Sequence, residues 1–368
     1  MEKPTVFGYI CDQPRALREC FAHREQFCAP FAEIFKKHPI KKVYLLGSGT
    51  SYNASLVGKT YFSELLGVEV EVCIPTVFTN YVKVNINGIY KKDEILIVAI
   101  SQTGTSISTI NALKKAYEEG WQTAVLTEDL NSPITRYARQ IIRLLCGEED
   151  VMVETKGYTV TVLTLYLWAL ETARALAKLE KDSYEKLLCQ LQDVLAQMPK
   201  IVESSIAWYE KHKQEMLSME LGVVAGYGIN HATAIEAALK VGETFRRPFQ
   251  AYELEEFMHG PDMALNNREF IYLICSDERE KERMLQFREF FLTVTSHVFV
   301  ITSEEGPWGE KDLLLPCKTS KNLSVLFYSV PLQVLAALSS RDSGIDTAVY
   351  PFESNDLAHC ASNQEEKG

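Results

Sequence analysis

No run of about 18 apolar residues, the rough minimum for a membrane span, occurs in the 368-residue chain, so no transmembrane helix is expected. Positive charge is also in short supply. There are 38 Lys and Arg against 49 Asp and Glu, a formal net charge of −11. That balance argues against nucleic acid, whose backbone needs clustered cations, and against a basic membrane-surface protein. A small anionic ligand stays open, because it needs only a local positive field. The nine cysteines contain no CxxC pair, which removes the usual signal for zinc or a redox couple. Scattered and odd in number, they suit free thiols in a reducing compartment. Neither HExxH nor an EF-hand loop is present, so no metal is expected, and without GxxxxGK[ST] or GxGxxG no nucleotide cofactor is expected either. No Ser–His–Asp or Cys–His arrangement stands out. Met1–Ile10 lacks the apolar stretch of a signal peptide, and the expected compartment is the cytoplasm.

What the chain has is alternation. Pro14–Lys37 carries apolar positions at helical spacing and ends in Lys36, Lys37 and His38, cations suited to a helix C-terminus. Strand-like runs follow at Lys42–Leu46, Val68–Ile74, Glu94–Ile100, Gln122–Leu126 and Gln140–Leu145. The third is apolar, as expected of a strand buried on both faces. Helical stretches separate them at Ala54–Leu66 and Ile107–Glu119, and Ser132–Ala138 reads as a helix start with Pro133 in first position. Long helices are expected at Thr159–Leu179 and Ser183–Glu210, the second breaking near Pro199. The alternation then restarts with strand Leu221–Ala225, a turn at Gly226–Gly228 and helix Asn230–Glu243. Strands Phe270–Ile274 and Val298–Ile301 flank helix Glu278–Val294, and helix Ser329–Arg341 closes this half. Such alternation implies βαβ units on parallel sheets, here two α/β halves in tandem without obvious sequence likeness. Beyond Asp346 the chain turns polar.

Ligands of open parallel sheets bind at the carboxyl ends of the strands. Two Ser/Thr-rich loops lie there, Gly47–Asn53 and Ser101–Ser106, each leading into a helix. A helix N-terminus offers unpaired N–H groups and partial positive charge to a phosphate. Hydroxyls of Thr50, Ser51, Ser101, Thr103 and Ser106 add hydrogen bonds, and Gly47, Gly49 and Gly104 permit close backbone approach. Plain helix capping explains one such loop equally well; two on successive strands point to binding. A second concentration runs from Ala234 to Pro261. Glu236, Lys240 and Glu243, spaced four and three apart, share one helix face, which by itself reads as a solvated ion-pair face. Glu243 and His259, brought together, would make a proton-shuttling pair, although a lone His before Gly260 and Pro261 is more often structural.

With these segments in view, the sequence resembles the tandem sugar isomerase (SIS) domain family over about Lys41 to Asp346. It is similar above all to the isomerase half of glucosamine-6-phosphate synthase and to the ketosamine 6-phosphate deglycases. Gly49–Asn53 and Ser101–Gly104 stand as the family's phosphate loops, Thr155-Lys156 as its TK step, and Ala234–Glu243 as its helix motif. Gln250–Tyr252 and Glu256 to His259-Gly260-Pro261 complete the match. The resemblance implies an α/β fold of two tandem SIS domains, each a five-stranded parallel sheet sandwiched by helices in flavodoxin-like order. The implied parts are a helical leader (1–38), a first SIS domain (39–182), a second with its linking helix (183–345) and a tail (346–368). A sugar phosphate would sit on Gly49, Thr50, Ser51, Ser101, Gln102, Thr103 and Ser106, with Lys240 and Glu154 at the substrate. Glu243 would be the acid/base at C1–C2. His259 would assist ring opening or a second proton transfer, across a homodimer with shared sites as in the synthase.

Departures from the family narrow the expectation. The glutamine-hydrolysing domain is missing from this sequence, so the chain is not expected to make glucosamine 6-phosphate from glutamine by itself. His359 falls where the synthase has its imine-forming lysine, and histidine cannot form that imine. Glu154 replaces a small Ser, which suggests recognition of an amine-bearing substrate. The expected function is a deglycase cleaving a 6-phosphorylated sugar-amine to hexose 6-phosphate and free amine. The alternatives are an aldose–ketose isomerase or amino-sugar phosphate deaminase and, in another class, a non-catalytic sugar-phosphate sensor. The short leader and the acidic charge disfavour the sensor.

Overall fold

The computed structural model describes residues 5–276, 278–318 and 321–352. They divide into two compact units, one of residues 15–149, 156–187 and 350–352, the other of residues 5–14, 150–155 and 188–349. The tail segment around His359 lies outside the described residues.

The chain opens with two helices, α1 (Val6–Ala22) and α2 (Glu25–Lys37), where one from Pro14 was expected; the break falls at His23 and Arg24. The first sheet holds β1 (Lys42–Leu46), β2 (Glu69–Cys73), β3 (Ile95–Ile100), β4 (Gln122–Thr127) and β5 (Gln140–Arg143), all parallel, in the order β2-β1-β3-β4-β5. Between the strands run α3 (Thr50–Tyr61), α4 (Pro75–Tyr81) and α5 (Ile107–Glu118). A single 3₁₀ turn, Pro133–Tyr137, replaces the expected helix start, because Arg139 N must already pair with Thr123 O to begin β5. β3 is buried at every position, which is why it reads as unbroken apolar sequence. α6 (Lys156–Ala175) has no polar face and is buried along most of its length, as such a helix must be. Its Trp168 stacks on Phe31 of α2 with centroids 4.1 Å apart, and donates from Nε1 to Phe27 O at 3.0 Å.

α7 (Lys181–Leu217) leads to the second sheet and runs straight through Pro199, contrary to the expected break. Proline forfeits one helical hydrogen bond, but the buried Leu195, Met198, Ile201 and Val202 around it hold the helix together. The second sheet comprises β6 (Gly222–Gly226), β7 (Phe249–Glu253), β8 (Phe270–Cys275), β9 (Val298–Thr302) and β10 (Leu313–Leu314), parallel and in the order β10-β9-β8-β6-β7. Counted from its own first strand, this is the order of the first sheet. Its helices are α8 (Ile229–Thr244), the one-turn α9 (Leu254–Phe257), α10 (Glu278–Val294) and α11 (Val325–Asp342). α8 lies on α11, with Thr244 Oγ1 donating to Ala336 O at 2.9 Å. In each sheet the winding reverses beside the first strand, at β1/β3 and at β6/β8, where open α/β sheets leave a crevice. Among the described residues no helix is long and apolar enough to cross a membrane.

Candidate functional site

β1 and β3 are neighbours, so the loops leaving them flank the crevice of the first sheet. The hydroxyls of Ser48 and Ser108 approach to 3.5 Å. α3 starts from Gly49 (φ 54°, ψ −126°) and α5 from Ser106, and neither start has a side-chain cap. Gly49 has no side chain to cap with, and Ser106 Oγ makes no cap hydrogen bond to α5. In the second loop the hydroxyls bond among themselves. Thr103 and Thr105 share a 2.8 Å contact, and Thr109 Oγ1 donates to Ser106 Oγ at 3.1 Å. Gly104 N donates to Ser101 Oγ at 3.2 Å. Thr50 and Ser101 are buried, Thr103 is exposed, and Ser51, Gln102 and Ser106 are half-buried. Gly104 has φ +66°, and a Cβ there would fall 2.0 Å from Ser132 Oγ, so only glycine lets the loop close onto Ser132.

One acid at this end escaped the sequence reading. Glu149 accepts from Lys156 N at 2.9 Å and Gly157 N at 2.8 Å, covering the N-terminus of α6. Gln102 Nε2 lies 3.5 Å from the same carboxylate. No capping rule reaches it, because Glu149 lies seven residues ahead of Lys156, where α6 starts.

The second sheet repeats the backbone of the first loop without its chemistry. α8 starts from Gly228 at φ 51°, ψ −122°, close to the values of Gly49. Ile229 then stands where the first loop has Thr50. Asn230, in the place of Ser51, is buried; its amide donates to Ser324 Oγ at 2.8 Å and its oxygen accepts from Thr233 Oγ1 at 3.0 Å.

Chemistry in this unit gathers further along α8. Lys240 and Glu236 are each 1% exposed, so the face expected to be solvated is interior. Lys240 Nζ donates to Glu243 Oε2 at 2.7 Å and lies 3.5 Å from Glu236 Oε1. Burial pulls the pKa of this ammonium down, but Glu236, then Glu243, outweigh it with help from Glu154, and hold it well above the usual lysine range. Lys240 is thus a fixed cation and not an amine nucleophile. The Glu243 side chain keeps 36% exposure, and its Oε1 takes no hydrogen bond among the described residues. His259 sits on the exposed turn after α9, where its charge acts on Glu255. Among the described residues no hydrogen bond or ion pair joins His259 to Glu243. The structure therefore clusters Glu236, Lys240 and Glu243, sets Glu154 within electrostatic reach of them, and leaves His259 outside that cluster. No group of three or more His, Cys, Asp or Glu side chains that could hold a metal ion occurs among the described residues.

Residues 38–171 match the SIS domain family model. The glutamine–fructose-6-phosphate aminotransferase (isomerizing) of Clostridium tetani is 26% identical over 357 residues, covering 92% of this chain and 56% of that protein. The namesake from Methanothermobacter thermautotrophicus is 26% identical over 362 residues, covering 96% and 56%. The chain thus spans about half the length of the curated relatives it matches. Among solved structures, a provisionally assigned phosphosugar isomerase of Clostridium difficile superimposes with a TM-score of 0.89 at 26% identity, covering 98% of this chain and 99% of that one. The C-terminal domain of glucosamine-fructose-6-phosphate aminotransferase from Francisella tularensis gives 0.83 at 20% identity, covering 95% and 99%, a likeness of fold. The SIS match covers residues 38–171, and the second sheet, which lies outside it, repeats the strand order of the first.

Proposed function

We propose that this chain is a sugar-phosphate enzyme that shifts a proton between C1 and C2 of its substrate, and that the substrate is a 6-phosphorylated sugar-amine adduct cleaved to hexose 6-phosphate and free amine. Glu243 carries the proposal. One of its carboxylate oxygens is tied to a buried, charged Lys240, while the other takes no hydrogen bond among the described residues and the side chain is 36% exposed. That is the arrangement of a carboxylate oriented to take and return a proton. The sugar-phosphate part is supported by the hydroxyl-rich loops after β1 and β3, at the carboxyl ends of neighbouring parallel strands, and by relatives whose names specify fructose 6-phosphate.

The steps balance without a further reagent. Glu243 removes a proton from C1 of the ketosamine while O2 takes a proton from His259, giving the enaminol, and Glu243 then returns its proton to C2, giving an iminium at C1. Water adds to C1 and gives up two protons, one leaving with the amine and one returning to His259. The sum is adduct plus water to aldose 6-phosphate plus amine. The phosphate falls to Gly49, Thr50, Ser51, Ser101, Gln102, Thr103 and Ser106, and Glu154 sits with Lys240 on the amine side. His259 handles oxygen and water, completing the site of a second copy in a homodimer. A lysine imine is not needed, because the substrate already carries nitrogen.

A second reading is an aldose–ketose isomerase, favoured by the 26% identical Clostridium difficile structure. It uses the same proton shift without loss of amine. Incubation with a panel of fructosamine 6-phosphates, of lysine and of other amino acids, separates the two. Hexose 6-phosphate should be released, and Glu243→Gln should abolish the release. Release from no adduct refutes the deglycase, and interconversion of fructose and glucose 6-phosphates would install the isomerase instead.

A further inference from the structure

We infer that Glu255 is a positioning residue for His259: Tyr227 and Arg283 grip its carboxylate and thereby hold the turn that carries the imidazole. The inference rests on the reading above, in which His259 takes part in the reaction.

α9 is a single turn of four residues, too short to be stable alone. The residue after His259 is Gly260 at φ 126°, a conformation that leaves the backbone unconstrained by a side chain. His259 itself is exposed, so packing does not fix it. What fixes the segment is a set of contacts made one residue at a time. Glu253 accepts from Glu255 N at 2.9 Å and from Glu256 N at 3.2 Å, closing the start of α9. Leu254 and Phe257 are buried and anchor its inner face. On the outer face, Glu255 Oε1 accepts from Tyr227 OH at 3.0 Å and from Arg283 Nε at 2.6 Å, and Oε2 accepts from Arg283 Nη2 at 2.9 Å.

The grip is directional. Tyr227 stands between the two glycines of the β6–α8 turn, and Arg283 belongs to α10, so three elements converge on one acid. The two-pronged guanidinium contact fixes angle as well as distance. The guanidinium also lies 4.5 Å over the Phe287 ring, which restrains the arginine. Arg283, against a smaller opposing effect of burial, holds the Glu255 carboxyl below its ordinary pKa, with Tyr227 and His259 adding to it. The carboxylate therefore stays ionised at neutral pH. Both members of the pair are nearly half exposed, and exposed ion pairs contribute little stability. Geometry is what such a clamp can supply.

The test is steady-state kinetics on the fructosamine 6-phosphate panel with Glu255→Gln, Arg283→Lys and Tyr227→Phe, and with Glu255→Gln placed in a His259→Gln background. Misplacement of a reacting group by about 1 Å can cost a hundredfold. Glu255→Gln is therefore expected to lower kcat by about ten- to a hundredfold with KM within about twofold, and Tyr227→Phe by less. A shift in Tm of under about 3 °C would accompany loss of an exposed pair. In the His259→Gln background, Glu255→Gln should add no further loss, since it acts through the imidazole. An unchanged kcat in Glu255→Gln overturns the inference, as does an equal loss in both backgrounds. Failure of the parent protein to cleave any adduct would overturn the proposed function first, and this inference with it.

Discussion

Replacing Lys240 by methionine tests the most heavily constrained feature of the second unit. The side chain is 1% exposed, with Glu236 equally buried 3.5 Å away and Glu243 at 2.7 Å. Methionine keeps most of the volume, so the loss is one of charge. Removing one partner from a buried ion pair costs about 3–5 kcal/mol, because a desolvated carboxylate loses its counter-charge. The Glu243 contact adds little, since that group is partly exposed. At roughly 2–4 °C per kcal/mol for a unit of this size, the melting temperature should fall by about 10 °C. Calorimetry at neutral pH measures it. The pH dependence follows from the raised lysine pKa. Its stabilisation is complete below the unfolded-chain value of about 10.4 and is lost as pH rises towards the folded value. The gap between parent and variant should hold from about pH 6 to 9 and shrink above about pH 10. Glu236→Gln combined with Lys240→Met should cost less than the sum of the two single changes. A fall in Tm under about 2 °C, or strict additivity, would refute the ion-pair account.

Other predictions address the loops and the acid side of the pH range. Gly104→Ala must strain a backbone at φ +66° and push its Cβ into Ser132, so inorganic phosphate or fructose 6-phosphate should bind at least about tenfold more weakly by calorimetry. Unchanged affinity would remove that loop from the site. Asp342 has its pKa lowered to about 2, chiefly by Arg341, against an opposing effect of burial and with help from Lys213 and Tyr209. Its stabilisation is present above the unfolded value of about 3.9 and is lost as pH falls towards the folded one. Asp342→Asn should therefore lower Tm at pH 7, with the deficit vanishing by about pH 2; a deficit independent of pH would contradict this linkage. Titration with a sugar phosphate should give one site per chain, and two equal sites would show that both crevices bind.

How far the sequence could be read depended on where each signal was stored. β3 was legible because burial on both faces leaves an apolar run. β7 was not, because FQAYE lies on the sheet edge with only Phe249 buried, and β10 has two residues. The hydroxyl loops were legible as a composition at strand ends, but that Gly49 and an uncapping Ser106 start α3 and α5 was visible only in the backbone geometry. Spacing placed Glu236, Lys240 and Glu243 on one face correctly and could not say that the face turns inward, since burial depends on α11 arriving from far along the chain. Tyr227, Glu255 and Arg283 are separated by 28 residues at each step, and no spacing rule joins them. Pairing of β6 with both β7 and β8 brings their elements together.

The two sheets share an order and a turn, yet the loops that begin their first helices carry different side chains. A phosphate at a helix N-terminus gains from N–H groups and the dipole, a contribution of order 1 kcal/mol that one nearby carboxylate can cancel. A carboxylate stands near both turns, Glu253 acting on His231 in the first turn of α8 and Glu149 lying 3.5 Å from Gln102 at the first sheet, so the hydroxyls are what differs. Hydroxyls are absent from the second turn, with Ile229 in the place of Thr50 and Asn230 occupied by Ser324 and Thr233. The first turn has hydroxyls on both flanking loops. Repeated topology therefore supplies two crevices of like backbone, while side chains make one of them suitable for an anion and free the other unit to present acids. In the function proposed above, Glu243 would take that second role.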